Sequence, residues 1–369
     1  IKDGKHVIFL SIYLFPCRYN AVRDELLYCD DFDVKVSYAC NPTIFTADEY
    51  DLLIISPDSW TDELQALKEH KEMQEIRTMI IETDDIYKTY RWIGRDYAER
   101  IKYAIKDAVE QYGIKYVLLV GDAEVMPVRY VSTVIGDVPS DLYYSDIYYS
   151  NYSFSSWDRD KDKVYVERRD DKPDLYPDVY VARLPASTPS ELEDMIQKIV
   201  EYEIPPMKAI MIGTELFWDT PEREGEYLKE QISNSINLET VKLYETQDYA
   251  RDAPAYAYFI AEYINDGALF VNFASHGNPQ GMGWESGGFG IHDLALLSNE
   301  YLPIVFAMAC STNQFDGGDC LGEMFLLVPE RGAIAYVGSS RVAYVYLGNG
   351  IDRGLSGYCL LYTSPSPRD

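Results

Sequence analysis

The fold of this chain is decided by two stretches, Ala268-Leu-Phe-Val-Asn-Phe-Ala-Ser-His-Gly277 and Pro303-Ile-Val-Phe-Ala-Met-Ala-Cys310. Each begins with a short apolar run rich in Val, Ile and Phe, which is typical of a buried strand in a parallel sheet. Between them, residues 291–297 can form the helix of a crossover connection. Such a unit places both strands in one sheet with their carboxyl ends at the same edge, where open α/β sheets bind ligands. The sequence therefore predicts that the imidazole of His276 and the thiol of Cys310 meet there, as a cysteine nucleophile and its histidine partner do.

The composition fits a folded protein and disfavours several classes of partner. The chain has 369 residues, of which 47% are hydrophobic and 25% charged, so it can bury one large or two modest cores. Its formal net charge of −28 repels nucleic acid and anionic membranes, and we expect neither as a partner. The same charge would attract cationic substrates or a divalent metal, or serve solubility alone. No apolar stretch reaches the roughly 18–20 residues that cross a bilayer.

The cysteines and histidines narrow the chemistry further. Six cysteines are too few and too scattered for a disulfide scaffold, and none forms a C-x-x-C pair. Cys17, Cys29 and Cys40 leave room for one disulfide whose pairing the sequence does not define. Four histidines make a histidine-rich metal site implausible. The chain starts without a basic and apolar leader, so we expect any signal peptide to lie outside this sequence.

Strand and helix patterns alternate along the chain and predict an α/β fold. Apolar residues at helical spacing favour a helix from Asp96 to Tyr112, with Gly113 as its cap. Thr188-Pro-Ser-Glu191 carries the signature of a capping box at the start of another helix. About six strands in the second half, residues 178–183 among them, suffice for a mostly parallel sheet with helices on both faces. Residues 139–177 lack helical periodicity and are expected to form a long functional loop region.

These patterns predict two subdomains and a tail. Residues 1–165 are expected to form a smaller N-terminal α/β subdomain that includes an acidic loop region. Residues 166–361 are expected to form the catalytic subdomain. Residues 362–369 continue no element and are expected to be a non-native or disordered tail.

Several strings, in their order along the chain, resemble the gingipain family of cysteine peptidases within the caspase-like clan. The resemblance spans roughly residues 116–340 and is carried by Val120-Gly-Asp-Ala-Glu-Val-Met-Pro-Val-Arg129, Pro177-Asp-Val-Tyr-Val-Ala-Arg-Leu184, Ser275-His-Gly277, Ala307-Met-Ala-Cys310, Gly322-Glu323 and Gly332-Ala-Ile-Ala-Tyr-Val-Gly338. It implies a caspase-like catalytic fold and a proteolytic enzyme. It also implies that His276 and Cys310 are the catalytic dyad.

Elementary chemistry assigns a role to each member of this dyad. Cys310 would attack the scissile carbonyl and form a thioester that water hydrolyses. His276 would protonate the leaving amine and help to hold the thiolate. The amides of Gly277 and Cys310 could donate to the oxygen of the tetrahedral intermediate, at about 3–4 kcal/mol for each donor. A lone cysteine at a strand end is more often a small hydrophobe, so the prediction depends on the pair.

The resemblance implies a carboxylate behind the histidine, on a loop after an earlier strand. Glu215 matches that position and would fix the imidazole tautomer and favour its charged form. The alternative is an exposed glutamate at a strand end.

The same resemblance bears on specificity. Gingipain relatives bind basic P1 side chains through an acidic residue at the start of the next helix, but here that position falls close to Gly225. Glu224 or Glu226 could substitute, or either could be a first-turn glutamate that the helix dipole favours. Trp284 and Tyr344 are candidate walls of the pocket.

Residues 157–162 form a separate signal. Asp158, Asp160 and Asp162 alternate on a tight loop and can present oxygens to one point, as calcium requires, with Glu167 as a further ligand. The glycine of an EF-hand loop is missing, so this is not an EF-hand. Members of the resembling family often bind calcium structurally, whereas the alternative is a solvated acidic loop. We expect a structural calcium ion and no organic cofactor.

The sequence thus predicts an extracellular or cell-surface cysteine endopeptidase that acts on proteins or peptides, with cleavage after basic residues as a further expectation. A transpeptidase that passes the same thioester to an amine is one alternative. A catalytically silent surface or adhesion module of the same fold is another. A nucleotide-binding α/β protein is disfavoured, because no P-loop or Gly-x-Gly-x-x-Gly follows a predicted strand.

Overall fold

The computed structural model describes residues 49–133, 136–166, 171, 173, 175–217, 223–284 and 287–343, and the backbone of two short strands before them. The predicted tail, residues 362–369, lies outside the described residues. No helix within these ranges is both long and apolar enough to cross a membrane.

Strands and helices alternate through most of the described chain. In chain order the strands are β1 (Cys17–Asn20), β2 (Glu25–Tyr28), β3 (Leu52–Ser56), β4 (Thr78–Glu82), β5 (Tyr116–Val120), β6 (Arg129–Thr133), β7 (Gly136–Ser140), β8 (Tyr180–Leu184), β9 (Lys208–Gly213), β10 (Glu239–Tyr244), β11 (Ala253–Pro254), β12 (Phe270–Ala274), β13 (Gly277–Asn278), β14 (Gly281–Trp284), β15 (Gly287–Gly290), β16 (Ile304–Met308) and β17 (Ala335–Gly338). The helices are α1 (Gln65–Met73), α2 (Thr83–Thr89), α3 (Tyr97–Tyr112), α4 (Leu142–Ser145), α5 (Pro189–Val200), α6 (Glu224–Ser233), α7 (Ala257–Asn265) and α8 (Leu321–Leu327). Short 3₁₀ helices lie at Asp58–Trp60 and Ile291–Leu296.

The first sheet has the strand order β4-β3-β5-β8 and is parallel throughout. Side chains of β3 alternate between its faces. Leu53 and Ile55 pack in one core with α3, whereas Leu52 and Ile54 pack in the other with α1 and α5. All five residues of β3 are buried, as is typical of a central strand covered by helices on both sides.

The helices predicted from capping signals begin and end as expected. Asp96 accepts a hydrogen bond from the amide of Glu99 at the start of α3, and Gly113 ends that helix with a φ of 78°, which glycine adopts at little cost. Thr188 and Glu191 form the predicted capping box at the start of α5. These two local predictions are confirmed.

Strand β8 lies in the first sheet, although the sequence pattern predicts it in the catalytic subdomain. It pairs in parallel with β5, and the helix that follows it, α5, packs beside α1. The change from one sheet to the other therefore falls between α5 and β9, well after the predicted boundary at residue 165. Strand pairing depends on contacts between distant residues, which an alternation of strand and helix patterns does not encode.

The second sheet has the strand order β11-β10-β9-β12-β16-β17, again parallel throughout. Leu228 and Ile232 of α6 pack on one face. Ile260 of α7 and Phe325 of α8 pack on the other. The predicted sheet of six parallel strands is confirmed, with β11 in the place expected for β8.

The connection between β12 and β16 is more elaborate than the predicted crossover helix. It first forms a small antiparallel sheet of β13, β14 and β15. The segment predicted as a helix is the 3₁₀ helix Ile291–Leu296. Four glycines form two cross-strand pairs in β14 and β15. These two strands therefore carry few side chains.

A buried lysine joins the two halves of the molecule. Lys198 of α5 is 5% exposed, and its Nζ donates to the carbonyl oxygens of Leu326, Val328 and Arg331 at 2.6, 3.0 and 3.0 Å. These carbonyls lie at and beyond the end of α8, where the last turn leaves acceptors without intrahelical partners. Burial lowers the pKa of Lys198 to about 7.

Candidate active site

His276 and Cys310 lie at the same edge of the second sheet. Strands β12 and β16 are neighbours with Ala274 opposite Met308, and the amide of Ser275 donates to the Met308 carbonyl at 3.1 Å. His276 and Cys310 follow these positions directly, and both are partly exposed. The structure therefore brings to one edge the two residues that the sequence predicts to meet.

Gly277 packs against the backbone of Cys310. A Cβ atom at Gly277 would lie 2.7 Å from the carbonyl oxygen of Cys310 and 2.8 Å from the Cβ of Ala309. These separations are far inside van der Waals contact, so any side chain is excluded here. The two amides predicted to form an oxyanion hole belong to these two adjoining residues, and their function stays a prediction.

The imidazole of His276 is held by a backbone carbonyl. Its Nε2 lies 2.8 Å from the carbonyl oxygen of Leu216, in the loop after β9. A carbonyl oxygen only accepts hydrogen bonds, so Nε2 carries the proton of the neutral ring and Nδ1 is the acceptor nitrogen. This contact selects the tautomer, which is the task that the sequence predicts for the carboxylate of Glu215.

Glu215 adjoins the partner of the imidazole, but its carboxylate forms an ion pair. One carboxylate oxygen contacts the guanidinium of Arg223, which also donates to Asp248 at 3.0 Å. The amide of Glu215 donates to Oε2 of Glu245 at 3.2 Å. These contacts hold the segment that presents the Leu216 carbonyl, and a direct action of Glu215 on the imidazole stays a prediction.

The chain after Cys310 is held by the segment that follows β17. Ser311 has a φ of 55°, which is uncommon for a residue with a Cβ and often marks a functional site. Its amide donates to the carbonyl of Arg341 at 2.9 Å. The amide of Ala343 lies 3.4 Å from the Sγ of Cys310 and donates a weak hydrogen bond to it. Ala343 therefore borders the thiol directly, and Arg341 borders the residue that follows Cys310.

Arg341 also connects the loop after Cys310 to the N-terminal half. It donates to both carboxylate oxygens of Asp316 at 2.8 and 2.7 Å, a bidentate pair that lowers the pKa of Asp316. Its Nε donates to the carbonyl of Asp137 in β7 at 3.1 Å. Next to Asp316, the ring of Phe315 faces the guanidinium of Arg183 at 5.4 Å. The ion pair of Arg341 and Asp316 is called the loop clamp below.

The acidic residues at the start of α6 differ in whether their carboxylates can contact a substrate. A Cβ at Gly225 would lie 2.2 Å from the carbonyl oxygen of Thr214, so the position expected for an acidic residue has no room for one. Glu226 is fully buried, and its two oxygens accept from the amide and hydroxyl of Thr246 at 2.7 and 2.8 Å. This burial argues against the predicted contact between Glu226 and substrate. Glu224 is partly exposed and keeps the predicted role.

Three carboxylates converge in the acidic loop. Asp158, Asp160 and Asp171 each offer an oxygen, and these oxygens lie within 4.8 Å of one another. Asp158 and Asp171 are buried, and Asp160 is exposed. Asp162, which the spacing predicts as a ligand, is outside this group, and its Oδ1 accepts from the amide of Val164 at 2.7 Å. Asp171 stands in its place.

Asp158 has a second charged contact. Its Oδ2 accepts from Nη1 of Arg95 at 2.5 Å, so one guanidinium already offsets part of the negative charge. Glu167, Tyr344 and the side chain of Trp284 lie outside the described residues. Their predicted roles stay predictions.

Sequence reasoning missed the Leu216 carbonyl, the loop clamp and Asp171. A backbone acceptor leaves no trace in residue types, and pairing Arg341 with Asp316 needs the fold. The sequence does contain an indication of Asp171, because this residue lies in an acidic pair within residues 139–177. A wider search for oxygen donors around the alternating aspartates would have included it.

Comparisons of sequence identify relatives over different parts of the chain. The profile of Peptidase family C25 matches residues 45–365. Lys-gingipain of Porphyromonas gingivalis is 30% identical over 188 residues, which cover 46% of this chain and 10% of that protein. Lys-gingipain W83 of the same species is 29% identical over the same length, with the same coverage of both chains. The chain thus spans a tenth of the length of the curated relatives it matches.

Solved structures share the fold. The crystal structure of the Arg-specific cysteine proteinase gingipain R aligns with a TM-score of 0.61 and 17% identity, over 88% of this chain and 76% of that one. The complex of the Porphyromonas gingivalis RgpB pro- and mature domains aligns with a TM-score of 0.60 and 18% identity, over 83% and 68%.

Proposed function

Because the chain belongs to peptidase family C25, we propose that it is a cysteine endopeptidase with Cys310 as nucleophile and His276 as acid and base. The placement of both residues at the ends of neighbouring strands β12 and β16 carries the proposal. A thiol and an imidazole at one partly exposed edge have the layout that nucleophilic catalysis needs. The contact between Nε2 of His276 and the Leu216 carbonyl supports it, since this contact fixes the orientation of the imidazole.

The reaction would proceed in two stages. The thiol proton passes to Nδ1 of His276 as Sγ attacks the scissile carbonyl carbon, and the amides of Gly277 and Cys310 stabilise the oxyanion. The C–N bond then breaks, and the amine leaves with the proton from Nδ1. Water then attacks the thioester carbonyl carbon and gives a proton to His276. The C–S bond breaks, the acid product leaves, and the sulfur of Cys310 takes the proton back from His276.

Substitution of Cys310 by alanine tests the proposal. We expect Cys310→Ala to remove at least about 99.9% of peptide turnover, because the covalent route is lost, while circular dichroism and melting temperature stay unchanged. Cys320→Ala is the matched control, since Cys320 is the other free cysteine of the described chain and is buried. Unchanged turnover in folded Cys310→Ala would overturn the proposal.

The rival activities predict different products and labels. A transpeptidase would convert the thioester into an amide when an amine is added, which mass spectrometry of the products would show. A catalytically silent module would resist labelling by a thiol-reactive peptide probe, whereas the proposed enzyme is labelled at Cys310.

Cleavage after Lys or Arg is part of the proposal. Its support is the partly exposed position of Glu224 in the first turn of α6, the net charge of −28, and relatives named Lys-gingipain and Arg-specific gingipain R. A peptide library varied at P1 is expected to show highest turnover for Lys and Arg, with a reduced preference in Glu224→Gln. A preference for acidic or apolar P1 residues would overturn this part.

A structural calcium ion is also proposed, held by Asp158, Asp160 and Asp171. Three carboxylate oxygens within 4.8 Å are hard donors of the kind that calcium prefers. We expect calcium to raise the melting temperature relative to a chelator in wild type and in Asp162→Asn, but not in Asp160→Asn. Equal melting temperatures of the wild type with and without calcium would exclude the ion.

The site of action proposed for the enzyme is outside the cell or at its surface. A loop with an exposed ligand such as Asp160 suits the weak calcium affinities of extracellular modules. Immunodetection in the medium and surface fractions of the source cells tests this, and exclusive recovery from the cytosol would contradict it.

A further inference from the structure

One face of the hairpin formed by β14 and β15, in the small antiparallel sheet beside His276, carries no side chains. Asn278 of β13 pairs with Gly281 and borders this face. Two cross-strand pairs of β14 and β15 consist only of glycine, namely Gly281 with Gly290 and Gly283 with Gly288. Alternate residues of a strand project to the same face. These four glycines therefore share one face, which we call the glycine face.

The opposite face of this sheet points into the core. Met282 and Phe289, which lie between the glycine pairs, are 5% and 2% exposed and belong to the main core of the second sheet. The hairpin of β14 and β15 is thus anchored on one side and bare on the other.

The backbone itself requires the glycine face. A Cβ at Gly283 would lie 2.2 Å from the carbonyl oxygen of Gly287, and one at Gly288 would lie 2.3 Å from that of Met282. Both positions have a positive φ, 156° and 143°, which residues with a side chain rarely adopt. The absence of side chains here is a constraint of this conformation.

The glycine face is the floor of a groove of about 590 Å³ that reaches His276. Its rim includes the exposed turn residues Asn278 and Gln280 and, from the 3₁₀ helix, Asp293. The Oδ2 of Asp293 accepts from the amide of Gly290 at 2.8 Å, which holds this carboxylate at the groove. Asp293 is the only carboxylate among the described residues that line it.

We propose that this groove binds the residues of a peptide substrate on the amine side of the scissile bond, with a preference for basic side chains. The inference rests on the proposed peptidase function. His276 must deliver a proton to the leaving amine, so the amine and the residues after it lie on the histidine side of the bond. The groove is lined by His276 and Gly277 but not by Cys310, as a site for the leaving segment should be.

The chemistry of the groove fits an extended peptide. A floor without side chains lets a substrate backbone approach the strand backbone closely, and the volume leaves room for large side chains. The charge of Asp293 then favours Lys or Arg over Glu.

Paired quenched peptides test the proposal. The two peptides are identical up to the scissile bond and carry either Lys or Glu at the second and third positions after it. We expect wild-type kcat/KM to favour the Lys peptide about two- to fivefold. Asp293→Asn keeps an acceptor for the Gly290 amide and should bring the ratio near one, and Gln280→Lys should reverse it. Glu300→Gln removes an exposed carboxylate outside the groove and should leave the ratio unchanged.

A short substrate with a small fluorogenic amine after the scissile bond separates this proposal from the peptidase function. It does not fill the groove, so its hydrolysis by the wild type and by Glu300→Gln reports the peptidase function alone. Equal rates for the Lys and Glu peptides in active wild type, or a ratio that Asp293→Asn leaves unchanged, would overturn the proposal that the groove binds the leaving segment. Failure of the wild type to cleave any of these substrates would overturn the peptidase function instead.

Discussion

At the residue scale, a peptide group orients the imidazole of His276. The Leu216 carbonyl does not titrate, so the ring keeps its orientation across the pH range in which carboxylates gain protons. A carbonyl carries no full charge, however, and favours an imidazolium less than a carboxylate would. Charge stabilisation of the protonated ring is therefore left to acidic side chains, and Glu215, which adjoins Leu216 in the chain, is the proposed one.

Because the Leu216 carbonyl orients the imidazole and Glu215 would contribute charge alone, we expect Glu215→Gln to lower activity only mildly. We expect kcat/KM to fall less than about tenfold, because the carbonyl still selects the tautomer and only a charge effect is lost. His276→Gln should lower kcat/KM at least about a thousandfold. Steady-state kinetics on one peptide substrate compares the two, and equal losses would mean that Glu215 contacts the imidazole directly during catalysis.

At the scale of elements, the loop after Cys310 depends on a bidentate pair. Replacing Arg341 by Gln removes the pair to Asp316 and the bond to the Asp137 carbonyl. We expect kcat to fall about ten- to a hundredfold with KM little changed, because small displacements of a nucleophile are costly. Asp316→Asn should give a similar loss.

The double variant makes this prediction specific. Since the two side chains act through one contact, Arg341→Gln with Asp316→Asn should be no slower than the worse single variant. The rate at which iodoacetamide alkylates Cys310, measured as a function of pH, reports the reactivity of the thiol independently of substrate turnover. Arg91→Gln, at an exposed arginine, is the control, and additive losses in the double variant would exclude the clamp.

The start of α8 predicts a pH effect on stability. Burial raises the pKa of Glu323 to about 7, from an ordinary value of 4.5. The folded state thus binds this proton more tightly than the unfolded state, and the free energy of unfolding falls as pH rises from 4.5 to about 7. Glu323→Gln keeps an acceptor for the Cys320 amide, which donates at 3.0 Å, and removes the titration.

Urea unfolding at pH 5 and pH 8 measures this effect. Relative to wild type, Glu323→Gln should be more stable at the higher pH and should lose this part of the pH dependence. Identical pH dependence in the two proteins would show that Glu323 ionises as it does in water.

Local elements could be predicted from sequence, and long-range ones could not. Thr188 and Glu191 lie three residues apart, so their capping box needs no tertiary contact. The edge shared by His276 and Cys310 was predictable because the carboxyl ends of neighbouring parallel strands meet at one edge of a sheet. Strand β8 could have joined either sheet, and the contacts that decide between them lie far apart in the chain. The loop clamp and the contact of the Leu216 carbonyl could not be predicted for the same reason, because their partners also lie far apart in the chain.

At the scale of the whole molecule, Lys198 stabilises the junction between the two sheets. Lys198→Met should leave three partly buried carbonyls without their donor and lower the free energy of unfolding by about 2 kcal/mol. Lys88→Met, at a side chain that is 70% exposed, should change it by less than about 0.5 kcal/mol. Denaturant unfolding compares them, and equal small effects would show that the junction does not depend on this ammonium.

The glycine face limits how such an enzyme can diversify. Neither Gly283 nor Gly288 can accept a side chain without rebuilding the hairpin, so mutation has no access to the floor of the groove. New preferences for the leaving segment must arise at the rim, from residues such as Asn278 and Gln280. A saturation library confined to that turn should yield altered selectivity in folded variants, whereas one aimed at the floor should yield mostly insoluble protein.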